Sequence, residues 1–554
     1  MSTPSVVPRP FIPYQRPARY HPDALHCFRA LQPDRRAEAV LLESADVKSG
    51  AHLHSLMLLT PALRLTCQGR AVTAQALTST GQAALALLAG TLASHVTARA
   101  DSELTLHFAP PPPGLSESER LAYPSNVEPL RVLQRALNQQ ELAQHGMDQQ
   151  APAGQSELPL LLGVFGFELL ASFEELPDVP PGMNNCPDYR FYLAETALVL
   201  DHQQETALLL GLGTPADGET LELELGALAE QLEGLPSPTP LPALPATLPR
   251  PQAQAFPDTA TFMAQVAALQ EHIQAGDIYQ VVPSRHFSLP CPDTLAAYAQ
   301  LKRLNPSPYL FYLHGGEFEL FGASPESALK FTAQTRQAEL YPIAGTRARG
   351  RDEAGRICPE RDARQELELR LDRKELSEHL MLLDLARNDL ARVAVPGTRH
   401  VARLLEVDRY SQVMHLVSQV VAQLKPGLDA LDAYRACMNM GTLSGAPKLE
   451  ATRLLRGTEG QRRGSYGGAV GYLAGSGDMD TCIVIRSGFV QGGQCTVQAG
   501  AGVVRDSDPA AEAAETEQKV RAVLLAVALA SAALPEDGEA PISMRRPSRQ
   551  EELA

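Results

Sequence analysis

Glu375, Glu378, His379, Asp384 and Asp389 crowd one leucine-rich stretch, KELSEHLMLLDLARND at 374–389. Carboxylates and an imidazole so close together can bind a cation or move protons. In a helix, residues 375 and 378 lie about 60° apart on one face, so their carboxylates can converge on one ion or on its water shell. Asp389 shares that face but stands about 16 Å further along, at about 1.5 Å per residue, too far to share the ion. Leu376, Leu380 and Leu383 recur at i, i+4 and i+7, which predicts a buried stripe that holds the helix to a core and turns the glutamates to a cleft. Spacing alone also fits a solvated charged face, the commoner use of such a pattern.

A second group lies in VQAGAGVVRDSDPAAEAAETEQK (497–519), which reads as a strand, a Gly-Ala-Gly turn and a helix with Asp508 at the N-cap and Pro509 in the first helical position. Lacking Cβ atoms, Gly500 and Gly502 let backbone amides approach a carboxylate. Glu515 and Lys519, at i and i+4, fit an ordinary surface ion pair. Glycine or small residues also flank single polar groups in YPIAGTRARG (341–350), MNMGTLSGAPK (438–448), SYGGAVGYL (465–473) and DTCIVIRSG (480–488). Such places admit a ligand close to backbone, or form bulges and tight turns. HExxH, a Walker loop and GxSxG are all missing from the sequence, which counts against zinc-protease, nucleotide-hydrolase and serine-hydrolase chemistry.

The elements that must carry these residues are mostly hairpins. LRLTCQGRAVTAQALT (63–78) and YRFYLAETALVLDHQQETALLLGL (189–212) alternate about turn residues, and a helix is expected near 259–275. Strands paired this way point to an α+β fold with mainly antiparallel sheet. Prolines in LPSPTPLPALPATLPRP (235–251) forbid helix and central strand. The expected organisation is a region 1–234, a linker 235–256, a second region 257–530 and a dispensable polar tail 531–554. With 554 residues, 44% apolar and 20% charged, the chain can bury a large core. Its net charge of −16 argues against nucleic acid and anionic membranes as partners, so an anionic substrate must find local positive charge. Eight cysteines without a CxxC pair fit a reducing cytoplasm. The opening residues lack an apolar targeting core, and the longest apolar run, 520–534, is short and carries Arg521, so no membrane span is expected.

At these motifs the chain resembles the anthranilate synthase component I family of chorismate-using enzymes, from LLESADVKSG (41–50) to KVRAVLLA (519–526), with gaps at the proline-rich stretch. The resemblance implies an α/β sandwich of two facing antiparallel-rich sheets under outer helices, with the ligand in a cleft between them. Glu378 and Glu515 are then ligands of a magnesium ion, with Glu375 holding metal-bound waters and the ring carboxylate of chorismate completing the shell. Tyr466 and Arg486 would grip the enolpyruvyl carboxylate, helped by amides around Gly500, Ala501 and Gly502. Gly345, Thr346 and Thr442 would be further pocket contacts. His415 would assist departure of the ring hydroxyl, and Glu326 would give it a proton, which requires a carboxyl kept protonated by burial. Ammonia would add at ring C2 as the C4 hydroxyl leaves, and pyruvate would then be eliminated to leave anthranilate.

Gln280, in GDIYQVVPS, stands where related isochorismate, salicylate and aminodeoxychorismate synthases are expected to carry lysine, and Ala344 stands where the aminodeoxychorismate enzymes tend to have another. The first lysine activates water and the second can act as a covalent nucleophile; lacking both, the chain is expected to use ammonia directly. None of its cysteines sits in a GxCxG elbow, so a separate glutamine amidotransferase subunit, in a heterotetramer, is the expected ammonia source. Glu43, Ser44, Pro308, Tyr309, Leu310 and Cys482 resemble a pocket in which tryptophan inhibits the enzyme. Leu310 replaces the methionine usual in close relatives, which predicts weaker inhibition. Ala348, in place of proline, should matter little. A catalytically dead tryptophan sensor is the contrasting class, and the intact Glu378 and Glu515 speak against it.

Overall fold

Tyr189–Asp201 and Thr206–Gly213 form the hairpin that their alternation predicts, in register from Thr196↔Gly211 to Asp201↔Thr206. His52–Gln68 turns back on Ala71–Ala76 through Gly69, whose φ of 59° is open to glycine at little cost. The helix expected near 259–275 is Thr259–Ala275. Asp258 accepts from the Thr261 amide at its start, and Gly276, at φ 88°, closes its end. These elements belong to a computed structural model that describes residues 11–32, 38–45, 52–137, 160–238, 242–245, 247–353, 355–409 and 413–532. The polar tail from 533 onward, and residues 46–50 of the LLESADVKSG motif, lie outside the described residues.

The strand ladders are antiparallel, and they branch from the long pair His52–Gln68 and Tyr189–Asp201. One arm runs through Ala39–Ala45, Tyr309–His314, Glu319–Ser324, Ser487–Gln491, Gln494–Gly500 and Ser284–Pro290. The other runs through Leu160–Phe165, Ala469–Ala474, Met479–Ile483, Ser327–Thr332, Gln337–Leu340 and Val413–Gln423. Residues from both arms, among them Phe311, Leu313 and Phe489 from the first and Leu162, Val470 and Cys482 from the second, bury one shared apolar cluster, so the arms face each other as the two sheets of the expected α+β sandwich. Strands from either side of the proline-rich stretch join once in each arm: Ala39–Ala45 pairs with Tyr309–His314, and Leu160–Phe165 with Ala469–Ala474.

Helices cover the outer faces. Thr294–Leu304 and Pro509–Ala532 pack Leu295, Tyr298, Leu301, Val520, Val523 and Val527 against the first arm, each buried aliphatic side chain contributing about 1.5–3 kcal/mol of apolar burial. Arg373–Ala391 and Ala430–Cys437 cover the second arm through Leu383, Leu390, Leu431 and Tyr434. The stripe expected on Arg373–Ala391 is corrected here: Leu380 is 47% exposed, and the buried face runs through His379, Leu382, Leu383, Ala386, Asp389 and Leu390. Two polar residues with buried partners occupy that face, so a pattern of leucines alone misplaces it by a fraction of a turn. His379 contacts Ser418 Oγ at 2.7 Å, and Asp389 accepts from Lys448 Nζ at 2.6 Å. All eight cysteines are free thiols. Among the described residues no helix is long and apolar enough to cross a membrane.

Candidate active site

Asp372 caps the Arg373–Ala391 helix by accepting from the Lys374 and Glu375 amides, and the first two turns carry Glu375 and Glu378. Arg347 donates to Glu375 Oε1 at 3.1 Å, and Gly345, at φ 80°, leaves room that a Cβ would take only 3.2 Å from Glu375 Oε2. Gln280 Nε2 donates to Glu378 Oε1 at 3.1 Å. Gly502 packs over that pair, where a Cβ would stand 2.9 Å from Gln280 Nε2 and 3.3 Å from Glu378 Oε1. Burial raises the pKa of Glu378, and the charges of Glu375 and Glu515 raise it further, while Lys519 opposes them. Glu375 and Glu515 thus both bear on Glu378, a donor set that suits a hard cation taking carboxylate and water oxygens. Among the described residues no three acidic, histidine or cysteine side chains are close enough to hold a metal by themselves. A cation here would therefore draw part of its shell from water or substrate.

Glu326 sits in the turn from Glu319–Ser324 to Ser327–Thr332, 8% exposed, and its carboxyl is pushed up to about 8 by burial, against smaller opposing effects of Thr442 and the Lys519 charge. Beside it lies a cavity of about 30 Å³ lined also by Thr442 and Asp389, room for about one water. His415 Nδ1 is 2.9 Å from Thr346 Oγ1 and 3.4 Å from the Gly345 carbonyl. Burial pulls its pKa down to about 4, the Gly345 hydrogen bond opposes, and the nearby Arg486 charge lowers it further. Tyr466 is buried, its phenol pushed up to about 12 by desolvation, and its hydroxyl lies against Gly500, where a Cβ would be 3.1 Å away. Arg486 holds φ 52°, a left-handed conformation that side chains other than glycine adopt at a cost. Its Nη1 donates to the Lys519 carbonyl at 2.9 Å.

Lys519 is the residue that sequence spacing undervalued. It does pair with Glu515 at 2.7 Å, but its Nζ also donates to the Gly500 carbonyl at 2.9 Å, and its charge reaches Glu326 and Glu378. The i, i+4 spacing was its one signal, and the same spacing is common on solvated helices. The Asp389–Lys448 pair behind Glu326 was likewise not legible, because its members lie on different helices; burial lifts Asp389 to about 6, against the Lys448 charge. Asp384 serves the surface, paired with Arg387 at 2.5 Å. Ala501 is corrected: its amide donates to the Pro283 carbonyl at 3.1 Å and is not available to a substrate carboxylate.

A cavity of about 110 Å³ on the shared face is lined by Glu43, Ser44, Tyr309, Leu310 and Cys482, along with His54, Tyr472 and Asp480. Two expectations change here. The Glu43 carboxylate has no exposed side-chain surface and is held by Tyr298 at 2.6 Å and Lys302 at 2.5 Å, so a ligand meets this strand without that charge. Pro308 does not line the cavity; its carbonyl accepts the Ala45 amide at 2.9 Å.

Carboxylates facing a lysine, an arginine and a neutral buried acid define a site for a small anionic substrate. Consistent with this, a family model described as chorismate binding enzyme matches residues 114–525, and the chain belongs to that family. Over 516 residues it is 51% identical to anthranilate synthase component 1 of Escherichia coli (strain K12), covering 92% of this chain and 95% of that protein. The corresponding protein of Salmonella typhimurium is 52% identical over the same share of each chain. The crystal structure of anthranilate synthase component I from Streptococcus pneumoniae TIGR4 matches with a TM-score of 0.65 at 27% identity, over 85% of this chain and 92% of that one.

Proposed function

We propose that this chorismate-family enzyme makes anthranilate, as the large component of an anthranilate synthase. Ammonia adds at ring C2 as the C4 hydroxyl leaves, and pyruvate is then eliminated. The observation that carries this reading is Glu326, a carboxyl in the cavity lined by Thr442 that burial keeps neutral up to about pH 8, and which can protonate the leaving hydroxyl near neutrality. His415, with its pKa at about 4, is neutral there and serves by hydrogen bonding, not by giving up an imidazolium proton. Gln280 donates its amide to Glu378 and offers no basic amine, which favours ammonia over activated water as the nucleophile. Arg486 and Tyr466 grip the enolpyruvyl carboxylate, and Thr346 and Thr442 line the ring.

Glu378 and Glu515, with Glu375 acting through water, would hold a magnesium ion; when bound, the ion offsets their charge and accepts a substrate carboxylate. The repulsion that Glu375 and Glu515 exert on Glu378 supports the assignment. A separate glutamine amidotransferase subunit supplies the ammonia, in a cytoplasmic heterotetramer. Every cysteine here with a displaced pKa is shifted upward by burial, opposite to what a thiolate nucleophile needs. Tryptophan binding in the cavity beside Ser44 regulates turnover. The region 1–234 supplies one side of that regulatory surface, with Ser44 and His54, while 257–530 supplies the other, with Tyr309, Leu310 and Cys482, and carries the chemistry.

Purified chain with chorismate, magnesium and ammonium should produce anthranilate fluorescence, and with glutamine in place of ammonium it should not. Chromatography that finds isochorismate or a 4-amino product in place of anthranilate would overturn the reading.

A further inference from the structure

A cavity of about 350 Å³ opens between the loop and helix around Glu117–Ala122, the turn Phe167–Ser172 and the helix Ala430–Cys437. None of Glu326, Glu378, Glu515 and Ser44 lines it, so it is separate from both pockets described above. Six ionised side chains do: Arg70, Arg120, Arg392 and Arg435, against Glu117 and Glu174. The two glutamates are already shared, Glu174 with Arg120 at 3.2 Å and Arg392 at 3.6 Å, and Glu117 with Arg392. Four positive charges against two negative leave a local excess of two in a chain whose net charge is −16.

Arg435 is the unusual member. It is 8% exposed, its Nη1 and Nη2 donate to the carbonyls of Leu121 at 2.9 Å and Arg120 at 3.2 Å, and its guanidinium lies 4.3 Å from the centre of the Phe173 ring. Its Nε is buried and has no hydrogen-bond partner. Asp432, the carboxylate with the largest pull on it, is bonded to Arg131 at 2.9 Å. Burial accordingly draws the Arg435 pKa down to about 10, the direction expected of a guanidinium that lacks a counter-anion. A buried cationic N–H left unpaired is costly, and such groups in folded proteins normally have a partner. Arg70 is exposed at the rim and forms no ion pair or side-chain hydrogen bond with a described residue. Phe108, Tyr123 and Phe173 supply the apolar wall.

We infer that this cavity is a binding site for a small oxyanion, a carboxylate or a phosphate on a compact body, drawn by the uncompensated charge of the buried Arg435 and met at the rim by Arg70. Guanidinium groups suit both oxyanions, and an aromatic wall accommodates the rest of the ligand. The site is additional to the chemistry proposed above and does not depend on it.

Calorimetric titration of the full chain at low ionic strength, with inorganic phosphate in one arm and malonate in the other, tests the assignment. One saturable site per chain for either anion is expected, and the anion that binds names the oxyanion class. Arg435→Gln and Arg70→Gln should each weaken it about tenfold, as befits loss of one charge-assisted contact. Arg486→Gln, in the catalytic pocket, should leave it unchanged. Arg70 is exposed, so Arg70→Gln decides the matter if Arg435→Gln does not fold. No saturable heat with either anion, unchanged affinity in a folded variant of Arg70 or Arg435, or loss of binding in Arg486→Gln would overturn the inference.

Discussion

Glu326 and Glu378 both have raised pKa values, for different reasons and to different ends. Burial dominates at Glu326, and the neutral acid is the useful form. At Glu378 the charges of Glu375 and Glu515 add to burial, and the useful form is the anion that a cation would restore. Glu326→Gln should lower kcat by about 10²–10⁴-fold with little change in KM for chorismate, the usual scale for a lost general acid. In the parent enzyme, kcat/KM expressed per free ammonia should fall as pH rises through about 8, because the proton on Glu326 is then lost. The same proton affects stability. A carboxyl raised from 4.5 to about 8 on folding contributes stability that is complete below its unfolded value and gone above its folded one. Urea midpoints of the parent should therefore decline between those limits more steeply than those of Glu326→Gln. Glu378→Gln and Glu515→Gln should each abolish anthranilate formation at ordinary magnesium. Because Glu378→Gln relieves the repulsion from Glu375 and Glu515, the thermal midpoint of that metal-free variant should hold or rise, so a fall in its midpoint together with normal turnover would reverse the assignment.

At the scale of the element, the helix Arg373–Ala391 does three things along its length: it carries Glu375 and Glu378 on its first two turns, buries the next residue, His379, against Ser418, and places Asp389 beside Lys448 near its end. Lys448→Ala would leave Asp389 charged and unpaired in the interior, at a cost of about 3–5 kcal/mol. Adding Asp389→Asn to that variant should recover much of the loss, measured by urea denaturation. Local periodicity made much of this architecture legible. The hairpin at 189–212, the helix Thr259–Ala275 and the Asp508 cap, which accepts the Ala511 amide at 3.2 Å, all follow from residue spacing and turn chemistry. Of the glycine-rich motifs, Gly345 lies against Glu375, Gly500 against Tyr466 and Gly502 against Glu378. What spacing could not convey were partnerships between distant segments: Lys519 bonded to Gly500, Lys448 to Asp389, and the Glu43 carboxylate turned into the core to meet Tyr298 and Lys302. The misplaced leucine stripe has the same origin, since His379 and Asp389 are buried only because such partners exist.

Across the whole molecule, the cavity beside Ser44 and the pocket around Glu326 are joined by single ladders. Ser44 pairs with Tyr309, Tyr309 with Ser324, two residues before Glu326, and Cys482 pairs with Ser327 just after it. On the regulation proposed above, a ligand that shifts one ladder displaces the other site, and tryptophan and chorismate should then weaken each other's binding by the same factor. Calorimetry of tryptophan with and without chorismate and magnesium checks that equality. Ser44→Phe should place a ring in the 110 Å³ cavity and relieve inhibition with little effect on uninhibited turnover.

The pairing of early strands with late ones, once in each arm, also bears on how the chain is born. Leu160–Phe165 leaves the ribosome long before its neighbour Ala469–Ala474 exists, and Ala39–Ala45 long before Tyr309–His314. Until those partners arrive, the first half carries apolar strands with open edges, the surfaces on which nascent chains stick to one another. The sandwich cannot finish its first half before beginning its second, so it completes late in synthesis and slowly, as non-local pairing requires, and the cell must shelter those edges in the interval.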